Sequence, residues 1–77
     1  MRKDTLLKRI EINPEVMLGK PVIKGTRLTV SLIVEKIAYG TSVRELLDQY
    51  PFLEEKDINA ALLYAAQVMG REEVYKI

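Results

Sequence analysis

Lys20, Lys24 and Arg27 lie in the run Gly19-Lys20-Pro21-Val22-Ile23-Lys24-Gly25-Thr26-Arg27-Leu28-Thr29-Val30, framed by two glycines and a proline. Glycine reaches backbone angles that strain other residues, and proline fixes one dihedral and removes a donor. A turn built this tightly gathers the three cations on one small surface. The chemistry open to them is phosphate contact, with Lys8 and Arg9 extending the field and Lys3 in the same basic lead-in. The structural alternative is that Arg27 bonds carbonyls of its own turn while the lysines are simply solvated. Gly19-Lys20 is not a phosphate-binding loop, because the upstream glycine and the following Ser or Thr are missing.

Catalytic chemistry has little to draw on. The chain has no histidine and no cysteine, which removes the commonest general base and the thiol nucleophile. Ser31 and Ser42 stand at helix starts, where capping explains them. Glu54, Glu55 and Asp57 fall in the first turn of a helix, where solvated acids complement the helix dipole. No residue is assigned to catalysis, to a metal or to a cofactor.

The elements that must position these groups follow from pattern. Arg9 to Asn13 alternates polar and apolar, which predicts a short strand with Ile10 and Ile12 inward and a stop at Asn13-Pro14. The loop from Pro14 to Lys20 is expected to tuck in Val16 and Leu18. Val22-Ile23 and Arg27 to Val30 read as extended segments around Lys24-Gly25-Thr26. Three helices are then expected. The first runs from Val30 to Tyr39 and stops at Gly40. The second opens on the capping box Ser42-Val43-Arg44-Glu45 and ends at Tyr50-Pro51. The third spans Glu55 to Met69. It carries two apolar stripes: Ile58, Ala61, Leu62, Ala65 and Met69 on one, Leu63, Tyr64 and Val68 on the other. A helix with two apolar faces needs two partners, so Leu63, Tyr64 and Val68 are candidates for a dimer or partner interface. Ile37, Leu46, Leu62 and Ala65 are expected to be deeply buried.

This gives a mainly α fold with short N-terminal strands, in which a three-helix trio has helix-turn-helix proportions. Residues 1–8 form a loose basic lead-in, 9–69 a single domain and 70–77 a charged tail. A core drawn from 77 residues without a disulfide is thin, and a second copy of the chain is a common way to complete it. No apolar run approaches the length of a membrane span, and the N-terminus lacks a signal-peptide core, so the expected location is the cytoplasm. Through Arg44 there are nine cations and four acids; from Glu45 onward there are three cations and seven acids. Such asymmetry points to a polyanion or to self-assembly of opposite faces. The expected recognition end of the third helix, Glu54-Glu55-Lys56-Asp57, is acidic and would repel phosphate. Any DNA contact therefore falls to the basic loop or the N-terminal arm.

Ile12-Asn13-Pro14, the run from Gly19 to Arg27, Ile33-Val34, Gly40, Ser42, Glu45-Leu46-Leu47, Tyr50-Pro51-Phe52-Leu53, Asp57-Ile58 and Ala60 to Ala66 together resemble a bacterial and archaeal family of small proteins, domain of unknown function four-three-three. The match covers about residues 9–67. The resemblance implies a homeodomain-like three-helix fold preceded by short strands. It also implies a non-enzymatic antitoxin of VapB type that binds a toxin with a PIN-like ribonuclease fold and often the operator DNA of its own genes. Relatives usually begin the third helix with a Thr or Ser cap, and this chain has Glu54 there. The reading from a different class is a dimeric protein–protein adaptor that never touches nucleic acid.

Overall fold

The structure is a computed structural model that describes residues 3–70. Its elements are α1 (Lys3–Leu7), β1 (Ile10–Glu11), β2 (Val22–Ile23), α2 (Val30–Ala38), α3 (Val43–Gln49) and α4 (Glu55–Gly70). The expected tail lies outside the described residues from position 71 onward. The fold is mainly helical, with a small antiparallel sheet near the N-terminus.

Local chemistry sets each boundary. Thr29 Oγ1 accepts from the Leu32 amide at 3.1 Å and opens α2. The helix closes where Thr41 N–H reaches the Lys36 carbonyl and Gly40 N–H reaches that of Ile37, at 2.9 and 3.0 Å. Gly40 is at φ +99°, the left-handed residue that such a double-bonded stop requires. Ser42 and Glu45 form the expected capping box: Ser42 Oγ accepts from Glu45 N–H at 3.1 Å, and Glu45 Oε1 accepts from Ser42 N–H at 2.8 Å. Hydrogen bonding to the carboxylate from the Ser42 amide first, and from its hydroxyl second, holds the Glu45 carboxyl below its ordinary range.

β1 and β2 pair with Ile10 opposite Ile23 and Glu11 opposite Val22. Val22 also bridges Thr29 on its other side, and the Ile23 amide donates to the Leu28 carbonyl at 3.0 Å. Between them, Thr26 Oγ1 donates to the Ile23 carbonyl at 2.8 Å and accepts from the Leu28 amide at 3.0 Å. Gly25 takes φ +80° at the tip. The turn is thus tied by Thr26. Arg27 is exposed and makes no side-chain hydrogen bond or ion pair among the described residues.

α4 is the hub, packing on α1, α2, α3 and β1. The core joins Ile23, Leu28, Val30, Ile33, Leu46, Leu53, Ile58 and Ala61. Burying each large aliphatic side chain contributes about 1.5–3 kcal/mol.

Several sequence expectations need correction. Residues 3–7 form a helical turn packed on α4, where a loose lead-in was expected. Ile12 is exposed, because β1 ends one residue earlier and the chain turns away toward Pro14. Leu18 is 93% exposed rather than tucked in. Leu62 is 37% exposed, and Ile37 and Ala65 are half-buried; of the four residues expected deepest, only Leu46 is fully buried. The buried face of α4 carries Asp57, Ile58, Ala60 and Ala61, with Tyr64 packed beside it. At 3.6 residues per turn this face is rotated away from Leu62 and Met69. Tyr64 therefore belongs to the core side, not to a separate outer stripe.

Candidate functional site

Two concave surfaces flank α4. The first lies at its N-terminal end, has a volume of about 330 Å³ and is lined by Lys8, Arg9, Ile23, Lys24, Thr26, Phe52, Glu54 and Asp57. Arg9 directly precedes β1 and Lys24 directly follows β2, and the Lys24 amide donates to the Arg9 carbonyl at 2.8 Å, which holds the two residues side by side. Asp57 is only 7% exposed, against the expectation of a solvated acid. Arg9 explains its burial. Arg9 Nη1 donates to Asp57 Oδ1 at 2.9 Å and lies 3.5 Å from Glu54 Oε1. The other oxygen, Asp57 Oδ2, accepts from the Glu54 amide at 2.9 Å and caps α4. A buried carboxylate so paired is fully bonded, and removing either partner leaves a costly charge.

Phe52 stands on the rim of this cleft, 56% exposed, and meets Tyr50 edge-on with ring centroids 6.0 Å apart. Lys8 and Lys24 are exposed and are not ion paired among the described residues. The cleft therefore offers two free cations and one aromatic face, while Arg9 is committed to the acids of α4. Among the described residues no group of three acidic side chains comes close enough together to hold a metal ion.

The second surface is an apolar groove of about 470 Å³ between α2 and α4. Val30 and Val34 form one wall, and Tyr64, Ala65, Val68 and Met69 form the other. Lys20 and Pro21 also line it, with Ser31 and Glu35 on α2. Tyr64 and Val68 of the expected interface set meet here, whereas Leu63 is half-buried and does not line the groove. Met69, at the edge of this lining, is 71% exposed, and it shares one face of α4 with Leu62 at helical spacing.

The five cations proposed for phosphate contact thus do not form one patch. Lys8, Arg9 and Lys24 share the cleft, Lys20 stands at the groove, and Arg27 lines neither. The residues missed from sequence are Phe52, Asp57 and Leu18. Asp57 had a local signal. It follows Glu54 by three residues, as Glu45 follows Ser42, and both carboxylates accept from the amide three positions back. Leu18 had no such signal. Met17, Leu18 and Gly19 form a turn of consecutive left-handed residues, at φ 49°, 59° and 82°. For the two non-glycine residues this conformation costs about 1–2 kcal/mol each.

A protein family described as "Protein of unknown function (DUF433)" matches residues 10–65, which include the turn, most of the groove and the cleft residues other than Lys8 and Arg9. The chain belongs to the DUF433 family. The crystal structure of a DUF433 member from Anabaena variabilis ATCC 29413 superposes with a TM-score of 0.78 at 34% identity, covering 88% of this chain and 67% of that one. An uncharacterized protein, y4eO of Sinorhizobium fredii (strain NBRC 101917 / NGR234), is 34% identical over 79 residues, covering 96% of this chain and 36% of its own length. This DUF433 chain therefore spans about a third of that curated relative. No helix among the described residues is long and apolar enough to cross a membrane.

Proposed function

We propose that this DUF433 protein is a non-enzymatic, cytoplasmic binding module of antitoxin type, a homodimer that holds a PIN-like ribonuclease inactive. The observation that carries the reading is the apolar surface α4 leaves in solvent, where Leu62 and Met69 share one face. Apolar side chains grouped in this way on a small domain mark a protein-binding face. The chain has no histidine or cysteine to offer chemistry. The test is to co-express the chain with the product of the reading frame beside its gene and to assay RNA cleavage. Stoichiometric inhibition, lost on Leu62→Glu, is the expected result. A neighbour that is no nuclease, or one whose activity the chain leaves untouched, overturns the reading.

Operator contact, in this reading, uses the cleft. Lys8 and Lys24, the cleft cations that are not ion paired among the described residues, neutralise phosphates, while Arg9 offsets the neighbouring Asp57 and Glu54. The engagement of Arg9 by Asp57 favours the alternative of a protein–protein adaptor, since it leaves the cleft with fewer free cations than the sequence offers. A gel shift on the region upstream of the gene separates the two.

A further inference from the structure

Leu18 is the most exposed large apolar residue among those described, and it is held in a left-handed turn. The turn is well formed: Gly19 N–H donates to the Val16 carbonyl at 3.0 Å, and Lys20 N–H to that of Met17 at 3.1 Å. Glycine or asparagine suits such backbone angles, and a leucine there is disfavoured. Leu18 gains nothing from its own core in return, because its side chain stands in solvent. The strain therefore presents an apolar knob.

The same molecule carries a hole of matching character. The α2–α4 groove is lined by Val30, Val34, Tyr64, Ala65 and Val68, and Lys20 lines it as well. Leu18 is two residues before Lys20, so its Cα lies within about 7 Å of the Cα of a groove-lining residue. Knob and hole are thus neighbours in the chain. We propose that Leu18 of one copy enters the α2–α4 groove of a second copy, and reciprocally, about a two-fold axis passing between knob and groove. A two-fold contact is isologous, so one axis buries both knobs and fills both grooves in a closed dimer. The charges at the groove fit this arrangement. Lys20 and Glu35 have opposite signs, and neither is ion paired among the described residues, so the two-fold can set the lysine of each copy against the glutamate of the other. A net charge of +1 adds little repulsion between copies.

This inference rests on the homodimer of the proposed function and names its contact. Sedimentation velocity across micromolar concentrations tests it on three proteins: the parent, Leu18→Asn and Val68→Glu. Asparagine takes the left-handed conformation more readily than leucine, so Leu18→Asn keeps the helical circular dichroism of the parent. The expected result is a parent dimer whose dissociation constant rises by about a hundredfold or more in Leu18→Asn, as two buried leucines are lost. Val68→Glu spoils the hole and is expected to be monomeric too. Mixing the two variants restores one knob-in-groove contact per pair, so the mixture associates where neither variant does alone. A Leu18→Asn protein that dimerises like the parent overturns the contact while leaving the dimer standing. A parent that is monomeric throughout overturns the dimer and the contact together.

Discussion

The cleft and the groove lie at opposite ends of the same helix, and they differ in what they leave unsatisfied. At the cleft, the buried charge is matched within the fold, since Asp57 binds Arg9 and caps α4 with its second oxygen, while the exposed Lys8 and Lys24 stay unpaired among the described residues. At the groove, apolar walls face solvent, and Lys20 and Glu35 are not ion paired among the described residues. Sequence placed the chemistry at the cations. The geometry uses part of that charge to fasten the N-terminal strand to α4, and leaves the unmet demand at the apolar surface. Charge in a small domain is thus a poor pointer to function until its partners are known.

The largest effect expected comes from testing which face of α4 is core. Ile58 is fully buried, so Ile58→Ala should cost about 4 kcal/mol, within the usual range for a large-to-small core change. Leu62→Ala, on the exposed side, should cost under about 1 kcal/mol. Urea unfolding of both variants checks the difference. Equal losses would mean that the solvent face of α4 is covered, and the comparison between cleft and groove would have to be redrawn.

A somewhat smaller loss should follow from breaking the cleft. Arg9→Ala leaves Asp57 buried without its ion pair, and the expected cost is about 3 kcal/mol, at the low end for a buried pair because Arg9 is partly exposed. Lys24→Ala, at the same cleft with no such partner, should change stability by less than about 0.5 kcal/mol. Thermal unfolding of the two variants side by side reads this directly. A stable Arg9→Ala protein would return Arg9 to the set of free cations and strengthen the nucleic-acid reading of the cleft.

If operator DNA uses the cleft, replacing Lys8 and Lys24 together should reduce the slope of log affinity against log salt by about 1.8, the value for two lost phosphate contacts. Lys20→Ala should leave that slope unchanged, because Lys20 stands at the groove. A slope that responds to Lys20 and not to the cleft pair would move the DNA surface to the other end of α4.

Much of the fold was legible because its signals are local. Ser42-x-x-Glu45, Gly40 and Tyr50-Pro51 mark the helix limits through bonds spanning a few residues, and those bonds form as expected. The rotation of α4 was less legible. Its many alanines blur the apolar stripe, so the buried side is decided by what α1, α2 and β1 place against it. The Arg9–Asp57 pair spans 48 positions and leaves no periodic trace. Leu18 was misplaced for another reason: apolar character argues for burial, whereas the left-handed backbone at Met17 and Leu18 turns the side chain outward. The cations were easy to list and hard to group, since only the β1–β2 register brings Arg9 beside Lys24.

The smallest effect expected comes from the capping box of α3, whose Ser42 and Glu45 line neither surface, and it serves as their control. Hydrogen bonds from the Ser42 amide and hydroxyl lower the Glu45 pKa in the fold. A carboxylate with a lowered folded pKa adds stability above its unfolded pKa and loses it as pH falls through the folded value. For Glu45 that window opens below its ordinary value of 4.5. Glu45→Gln removes the titrating group while keeping an oxygen that can accept from the Ser42 amide. The parent should therefore melt slightly higher than Glu45→Gln at neutral pH, and the gap should close as pH drops into the acid range. The carboxylate is fully exposed, so the gap should also shrink in high salt. Parallel thermal melts at neutral and acid pH check both trends. A gap that widened in acid would mean that protonated Glu45 is the form the cap prefers, contrary to a carboxylate oxygen that accepts from the Ser42 amide.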